Sequence, residues 1–387
     1  MSTRRGSITF GLAAAFLLTF SALPFGPSVQ AAAFDETWGI PQEPFRIADN
    51  LYYVGDQDLA VYLIVTPKGL IVLDGGYVKT GPQVAANIRK LGFDPANIKI
   101  LLNSHAHTDH AGGLAALKAA SGAVLYASAR DKPYLESGGH DDPVLANLAL
   151  FPAVKVDRLV ADGQKITLGG VTLTAHLTPG HTPGCTSWSM PVKADGKLRQ
   201  ALFICSVTVL PMTHLSGPKA SWPGIAGDFD HSFKVLHALP CNIFLASHGG
   251  FYRMQAKRAA LAANPKGANP FVDPAGCKAY LDQGEATFRK RLAAEKEAYD
   301  RGGADGGGGA IMITGALPGM SGAGGSTTAR RRARASSGSR RRARSRSIKV
   351  SADNHMAGVG GAASGRVRNA AWLTRSAAIA RSSAGAD

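Results

Sequence analysis

Ile98-Lys99-Ile100-Leu101-Leu102-Asn103-Ser104-His105-Ala106-His107-Thr108-Asp109-His110-Ala111-Gly112-Gly113 is an apolar run that ends abruptly in polar, histidine-rich sequence and then in two glycines. Residues 98–102 read as a buried strand, because a short Ile and Leu run bounded by polar residues suits a strand covered on both faces. A helix resumes with Leu114 and Leu117, so the polar residues lie at a strand-to-helix junction. Loops at the carboxyl ends of strands are where α/β folds gather their ligands. Within six positions stand four side chains able to bind metal: His105, His107, Asp109 and His110. On an extended backbone His105 and His107 point to one side and can share an ion, while Asp109 and His110 enter the turn and can address a second one. Imidazole and carboxylate are the ligands zinc prefers at neutral pH.

A catalytic metal centre draws ligands from other segments too. His181, in Pro179-Gly180-His181-Thr182-Pro183-Gly184, follows a predicted strand over 171–177 and sits among turn-formers. His248 follows a predicted strand over 243–246 and precedes Gly249-Gly250. Both stand where convergence on the first run requires them. His140, His176, His214, His231 and His237 have no such setting and read as surface, packing or loop residues.

Further out, short alternating stretches predict strands over 51–54, 60–65 and 70–73, the last ending on Asp74-Gly75-Gly76. Apolar residues at helical spacing (Val84, Ile88, Leu91) predict a helix over 82–91. Strands follow over 124–127, 158–160, 165–168, 171–177, 202–204 and 243–246, with a polar loop at 131–142 and a closing helix at 285–299. β-Meanders with interspersed helices, in two similar halves, predict a sheet-on-sheet sandwich with helices outside and the site along one edge.

With 387 residues the chain can bury a large core without a metal, so metal ligands here are functional rather than structural. The net charge of +16 is unevenly spread: past Gly302 there are 14 Arg or Lys against 3 acidic residues, which leaves a mildly basic body. That balance gives no reason to expect a nucleic-acid partner. Arg4 and Arg5, an apolar run over 8–20, the breakers Pro24, Gly26 and Pro27, and Ala31-Ala32-Ala33 predict a signal peptide over 1–31. The apolar run is too short to span a bilayer, so no stable membrane insertion is expected after its removal, and the location expected is periplasmic or secreted. Residues 32–301 then form the catalytic domain. Residues 302–387, rich in Gly, Ser and Arg, cannot bury enough apolar surface to order themselves and read as a disordered, even spurious, extension. The competing reading is a polyanion-binding tail on a non-catalytic zinc or polyanion binder.

Four cysteines in an exported chain favour disulfides, and four allow three connectivities. Cys241 and Cys277 flank the last predicted loop and helix and are the favoured pair; Cys185 and Cys205, each beside a predicted strand, are the second.

The run His105 to Gly113 resembles the HxHxDH signature of the metallo-β-lactamase superfamily, and Gly180-His181-Thr182-Pro183-Gly184 is similar to its next metal motif. The resemblance extends over residues 34–299, includes Asp74, and implies an α/β fold built as a four-layer αββα sandwich. Glyoxalase II and lactonase relatives place a bridging Asp after the strand that here ends Ile204-Cys205-Ser206, and this chain has no carboxylate there. Subclass B1 has a Cys ligand at that point and lacks the histidine matching His110. With His110 present, Ser206 at the cysteine position and a Cys241–Cys277 pair, the pattern resembles subclass B3. A register shift of one residue would instead make Cys205 a zinc thiolate.

The resemblance implies two zinc ions, the first on His105, His107 and His181, the second on Asp109, His110 and His248. It implies hydrolysis of a small-molecule β-lactam by zinc-activated water, with Asp109 catalytic, Ser206 and Thr208 donating to the substrate carboxylate, and a monomeric enzyme of antibiotic resistance. The rival is a hydrolase of the same fold acting on a lactone, thioester or phosphoester.

Overall fold

The computed structural model describes residues 38–304. The expected signal peptide and nearly all of the expected tail lie outside the described residues.

β1 (Phe45–Ala48), β2 (Leu51–Tyr53), β3 (Tyr62–Thr66) and β4 (Gly69–Leu73) form an antiparallel meander. β5 (Ile98–Leu102), β6 (Val124–Ser128) and β7 (Arg158–Val160) extend it in parallel, giving a seven-stranded sheet in sequential order. Parallel neighbours require crossovers. Those here contain α1 (Gly81–Lys90), the single turn α2 (Thr108–Ala111), α3 (Leu114–Ser121) and α4 (Lys132–Ser137).

β8 (Lys165–Leu168), β9 (Val171–Leu177), β10 (Thr186–Ala194) and β11 (Lys197–Ile204) make a second meander. After α5 (Ile225–Ala238), β12 (Ile243–Ala246) joins β11 in parallel, so the five-stranded sheet runs β12-β11-β10-β9-β8. α6 (Met254–Ala263) and α7 (Pro274–Ala304) complete the described chain.

The period of two along the strands, broken in β5 by a register shift between Ile98 and Ile100, divides the core. Ile71, Leu73, Ile100 and Leu102 face a cluster shared with Trp188, Met190 and Phe203 of the second sheet. Leu70, Val72, Ile98 and Leu101 face the other way, onto Val84 and Ile88 of α1 and Leu114 and Leu117 of α3. On the second sheet α5 and α7 pack together, with Phe229 stacked on Phe288 at 5.0 Å. The layers are helix, sheet, sheet, helix, the αββα sandwich expected. No helix among the described residues is long and apolar enough to cross a membrane.

Both expected disulfides are present, Cys185–Cys205 and Cys241–Cys277. β11 begins at Lys197 rather than 202, β10 and α5 were not expected, and two further stretches differ from expectation. The closing helix, expected from residue 285, begins at Pro274, because burial of Cys277, Tyr280 and Leu281 outweighs the poor helix propensity of Gly276 and Gly284. The expected polar loop at 131–142 contains α4, whose Leu135 is buried.

Candidate metal centre

The carboxyl end of β5 sets the site. Asp74 closes β4 with a left-handed φ of 66°, and its Oδ1 accepts from the backbone N–H of Ser104 at 2.7 Å and from Asn103 Nδ2 at 3.2 Å. That holds the start of the histidine run against the neighbouring strand. Gly75 N–H donates to the His110 carbonyl at 2.7 Å, and a Cβ on Gly113 would lie 2.2 Å from the Gly75 carbonyl oxygen. The two glycine-bearing loops therefore touch backbone to backbone, an approach only glycine permits.

Two clusters result. One ligating atom each from His105, His107 and His181 lies within 4.8 Å of the others, and the same holds for Asp109, His110 and His248. In the second cluster Asp109 Oδ2 is 3.1 Å from His110 Nε2 and 3.3 Å from His248 Nε2, and the two nitrogens are 3.2 Å apart. Atoms bound to tetrahedral zinc at about 2.0 to 2.1 Å lie roughly 3.3 Å from each other, so this triangle has the edges of a zinc coordination face. All six residues are buried, and the rings of His105 and His110 are 4.2 Å apart, which makes the clusters contiguous.

Hydrogen bonds fix which nitrogen each ring can offer. His181 Nδ1–H donates to the Thr208 carbonyl at 2.9 Å, which leaves Nε2 with its lone pair. His248 Nδ1–H donates to Asp58 Oδ2 at 2.7 Å, which turns Nε2 toward Asp109 and His110. His105 Nδ1 meets Ser104 Oγ at 3.0 Å, while its buried Nε2 has no hydrogen-bond partner among the described residues. His107 turns Nε2 toward Asp142 Oδ2 at 3.6 Å, leaving Nδ1 for the cluster. The buried His105 Nε2, without a protein partner, fits a metal ion, which satisfies it where hydrogen bonds do not.

The electrostatics agree. Burial pushes the His107 imidazole down to about 4 and that of His181 to about 3, and burial with three neighbouring imidazoles holds His105 well below its ordinary value. The first cluster is therefore neutral and offers lone pairs at pH 7. Burial alone would raise Asp109, but His110 and His248 outweigh it and hold the carboxyl well below the usual carboxylate range. Burial likewise opposes the charged form of His248, yet hydrogen bonds with Asp109 and Asp58 push it up to about 10. A field that favours a proton between two carboxylates favours a divalent cation there as well.

Ser206 and Thr208 follow β11 at the rim of the first cluster. Their hydroxyl oxygens are 3.0 Å apart, and that of Thr208 is 3.0 Å from His181 Nδ1. Cys205 Sγ lies 3.5 Å from His105 Nδ1, but its bond to Cys185 removes the thiolate, and the reading of Cys205 as a zinc ligand is overturned. Of the remaining histidines, His176 bonds Ser189, His237 pairs with Glu285 and His140 bonds Asn147, all away from the clusters.

Three carboxylates that support the site escaped the sequence reading. Asp58 holds His248. Asp142 faces His107. Asp131 accepts from Ala106 N–H at 3.0 Å, Thr182 Oγ1 at 2.9 Å and Gly184 N–H at 2.7 Å, tying the first histidine run to the loop of His181. Each sits in a polar loop with no spacing to distinguish it, and only the fold brings it to its partner.

Residues 55–193 match the family model described as the metallo-beta-lactamase superfamily. The fold is similar to that of the FEZ-1 metallo-beta-lactamase from Legionella gormanii, at 44% identity and a TM-score of 0.64, covering 66% of this chain and 98% of that one. It is similar also to BJP-1, a subclass B3 metallo-beta-lactamase of Bradyrhizobium japonicum, at 43% identity and a TM-score of 0.64, covering 68% and 98%. A curated relative, the hydroxyacylglutathione hydrolase of Maricaulis maris, is 28% identical over 52% of this chain and 67% of its own length. Likeness at 44% identity along almost the whole of a solved relative, on a sandwich that gathers histidines and carboxylates at its strand ends, makes the chain a hydrolase of the metallo-beta-lactamase superfamily.

Proposed function

We propose that the protein is a zinc-dependent β-lactam hydrolase of the subclass B3 type, exported to the periplasm or beyond, where it confers resistance to β-lactam antibiotics. The observation that carries the reading is the make-up of the second cluster. Asp109, His110 and His248 meet at coordination spacing, while the end of β11 at Cys205 and Ser206 offers neither a carboxylate nor a free thiol. Identity of 44% and 43% to two solved metallo-beta-lactamases supports the substrate class. Two disulfides support an oxidising compartment.

His105, His107 and His181 would hold one zinc ion, and Asp109, His110 and His248 a second. Zinc bound there polarises a carbonyl and acidifies water near neutral pH. Asp109 stays ionised in its pair of imidazoles, so its carboxylate can accept a hydrogen bond from the attacking water and orient it toward the lactam carbonyl. Ser206 and Thr208 each carry a hydroxyl that can donate to the substrate carboxylate, and the Thr208 carbonyl keeps His181 in the tautomer that presents Nε2. The water oxygen bonds to the carbonyl carbon as the carbon–nitrogen bond of the ring breaks, and the proton that the water gives up passes to the nitrogen.

Hydrolysis of a chromogenic cephalosporin by the mature protein, with and without a chelator, tests the proposal. Turnover abolished by the chelator and restored by zinc is expected. The second reading, a thioester or lactone hydrolase on the same site, is favoured by the likeness to a hydroxyacylglutathione hydrolase. Faster zinc-dependent turnover of an S-acyl glutathione or a lactone than of the cephalosporin would establish it instead.

A further inference from the structure

We infer that Asp58, which nothing in the motif pattern marks, is the positioning residue that sets the metal affinity of the second cluster and leaves the first untouched. The inference rests on the two-metal reading of the site and not on the choice of substrate.

The five histidines differ in what stands behind them. His105 is backed by a hydroxyl and His181 by a backbone carbonyl. Carboxylates lie behind His107 at 3.6 Å and His110 at 3.9 Å, beyond hydrogen-bond reach, and the Asp74 carboxylate behind His110 already serves Ser104 and Asn103 through its other oxygen. His248 alone of the five has a carboxylate in hydrogen-bond contact with the ring nitrogen that faces away from the clusters, Asp58 Oδ2 at 2.7 Å. A carboxylate on the far nitrogen fixes the tautomer and raises the donor strength of the near one.

The chain builds this contact deliberately. Asp56 accepts from the backbone N–H of Asp58 and Leu59 through Oδ1 and from Gly39 through Oδ2. A Cβ on Gly55 would strike the Leu59 carbonyl oxygen at 2.1 Å, so the tight turn requires glycine there. Asp58 then grips the His248 loop at two further points, its carbonyl taking Gly249 N–H at 2.6 Å and its Oδ1 taking Gly250 N–H at 2.8 Å. The rings of Trp38 at 5.9 Å and Phe251 at 4.9 Å also pack beside the imidazole, tilted to it by 37° and 50°. Loss of the carboxylate would therefore change the donor strength and tautomer of His248 more than its position.

Zinc titration of Asp58→Asn and Asp58→Ala against a chromophoric chelator, beside thermal melts of the metal-free proteins, tests this. The asparagine can still accept from one of the two N–H groups, so the order of affinity expected for one of the two binding steps is wild type above Asp58→Asn above Asp58→Ala. The alanine variant should lose about 10- to 100-fold. The other step should stay essentially unchanged. Equal weakening of both steps, or a lower melting point with both steps unchanged, would overturn the inference and reduce Asp58 to a loop fastener.

Discussion

Asp131 accepts three hydrogen bonds while fully buried, two through Oδ2 and one through Oδ1, so an amide in its place must set an N–H against a donor. Asp131→Asn is expected to cost about 1 to 3 kcal/mol, the penalty of one buried unsatisfied group. Its pH dependence has a definite sign. Burial raises the Asp131 carboxyl from 3.8 to about 6, so its contribution to stability is complete below pH 3.8 and is lost as pH rises through 6. The stability gap between wild type and Asp131→Asn should thus be widest near pH 4 and narrower at pH 7. Denaturant melts at the two values check this, and a gap that widens with pH would refute it. Asp109→Asn acts on chemistry instead. Removal of the group that orients water should lower kcat by at least about a hundredfold. Turnover close to wild type with full metal content would contradict the role. The ligand residues were legible in sequence because His105, His107, Asp109 and His110 crowd one strand end. Asp58, Asp131 and Asp142 were not, since each is a lone acid whose partner lies far along the chain and becomes visible only when loops meet.

At the scale of elements, α7 does more than cover the second sheet. Arg291 donates to the carbonyls of Leu210, Pro211 and Thr213 at 2.7, 2.6 and 2.6 Å, and Glu295 one turn later accepts from Leu215 and Ser216 N–H. Together they clamp the loop that leaves β11 through Ser206 and Thr208. Arg291→Ala should cost about 2 kcal/mol or more, since it strands three carbonyls that had a charged donor. It should also raise KM more than it lowers kcat, because the loop that meets substrate loses its register while the metal ligands keep theirs. Arg291→Lys should recover only part of either effect, as an ammonium cannot reproduce the planar fork. Steady-state kinetics and thermal melts of both variants decide it; an unchanged KM with a large drop in kcat would place the loop elsewhere in the mechanism. The strands β4, β5 and β9 announced themselves through apolar runs and alternation. β10 also alternates, with Trp188, Met190, Val192 and Ala194 buried, but Pro191 and the intervening serines obscure it. α5 escaped because Gly224 and Gly227 blur its start, and its packing of Phe229, Phe233 and Leu236 rather than its propensity makes it a helix.

For the whole molecule, charge and structure part company. Both sheets, both disulfides and both histidine–carboxylate clusters lie within residues 38–304, whereas residues 305–387 hold +11 of the net +16. The sandwich could be foreseen because two meanders with helices between them admit few architectures. The role of the basic segment could not, since composition alone fits an idle extension and a polyanion binder equally. Removing residues 305–387 separates them. Every group assigned to catalysis stays, as does α7 to its last residue, Ala304. Turnover, zinc stoichiometry and melting temperature should therefore match the full chain, while retention on heparin falls as the net charge drops to +5. A catalytic loss on truncation would mean that the basic segment contributes to the site. If neither form turns over a β-lactam, lactone or thioester while the full chain alone holds heparin, the protein is a binder built on a hydrolase fold.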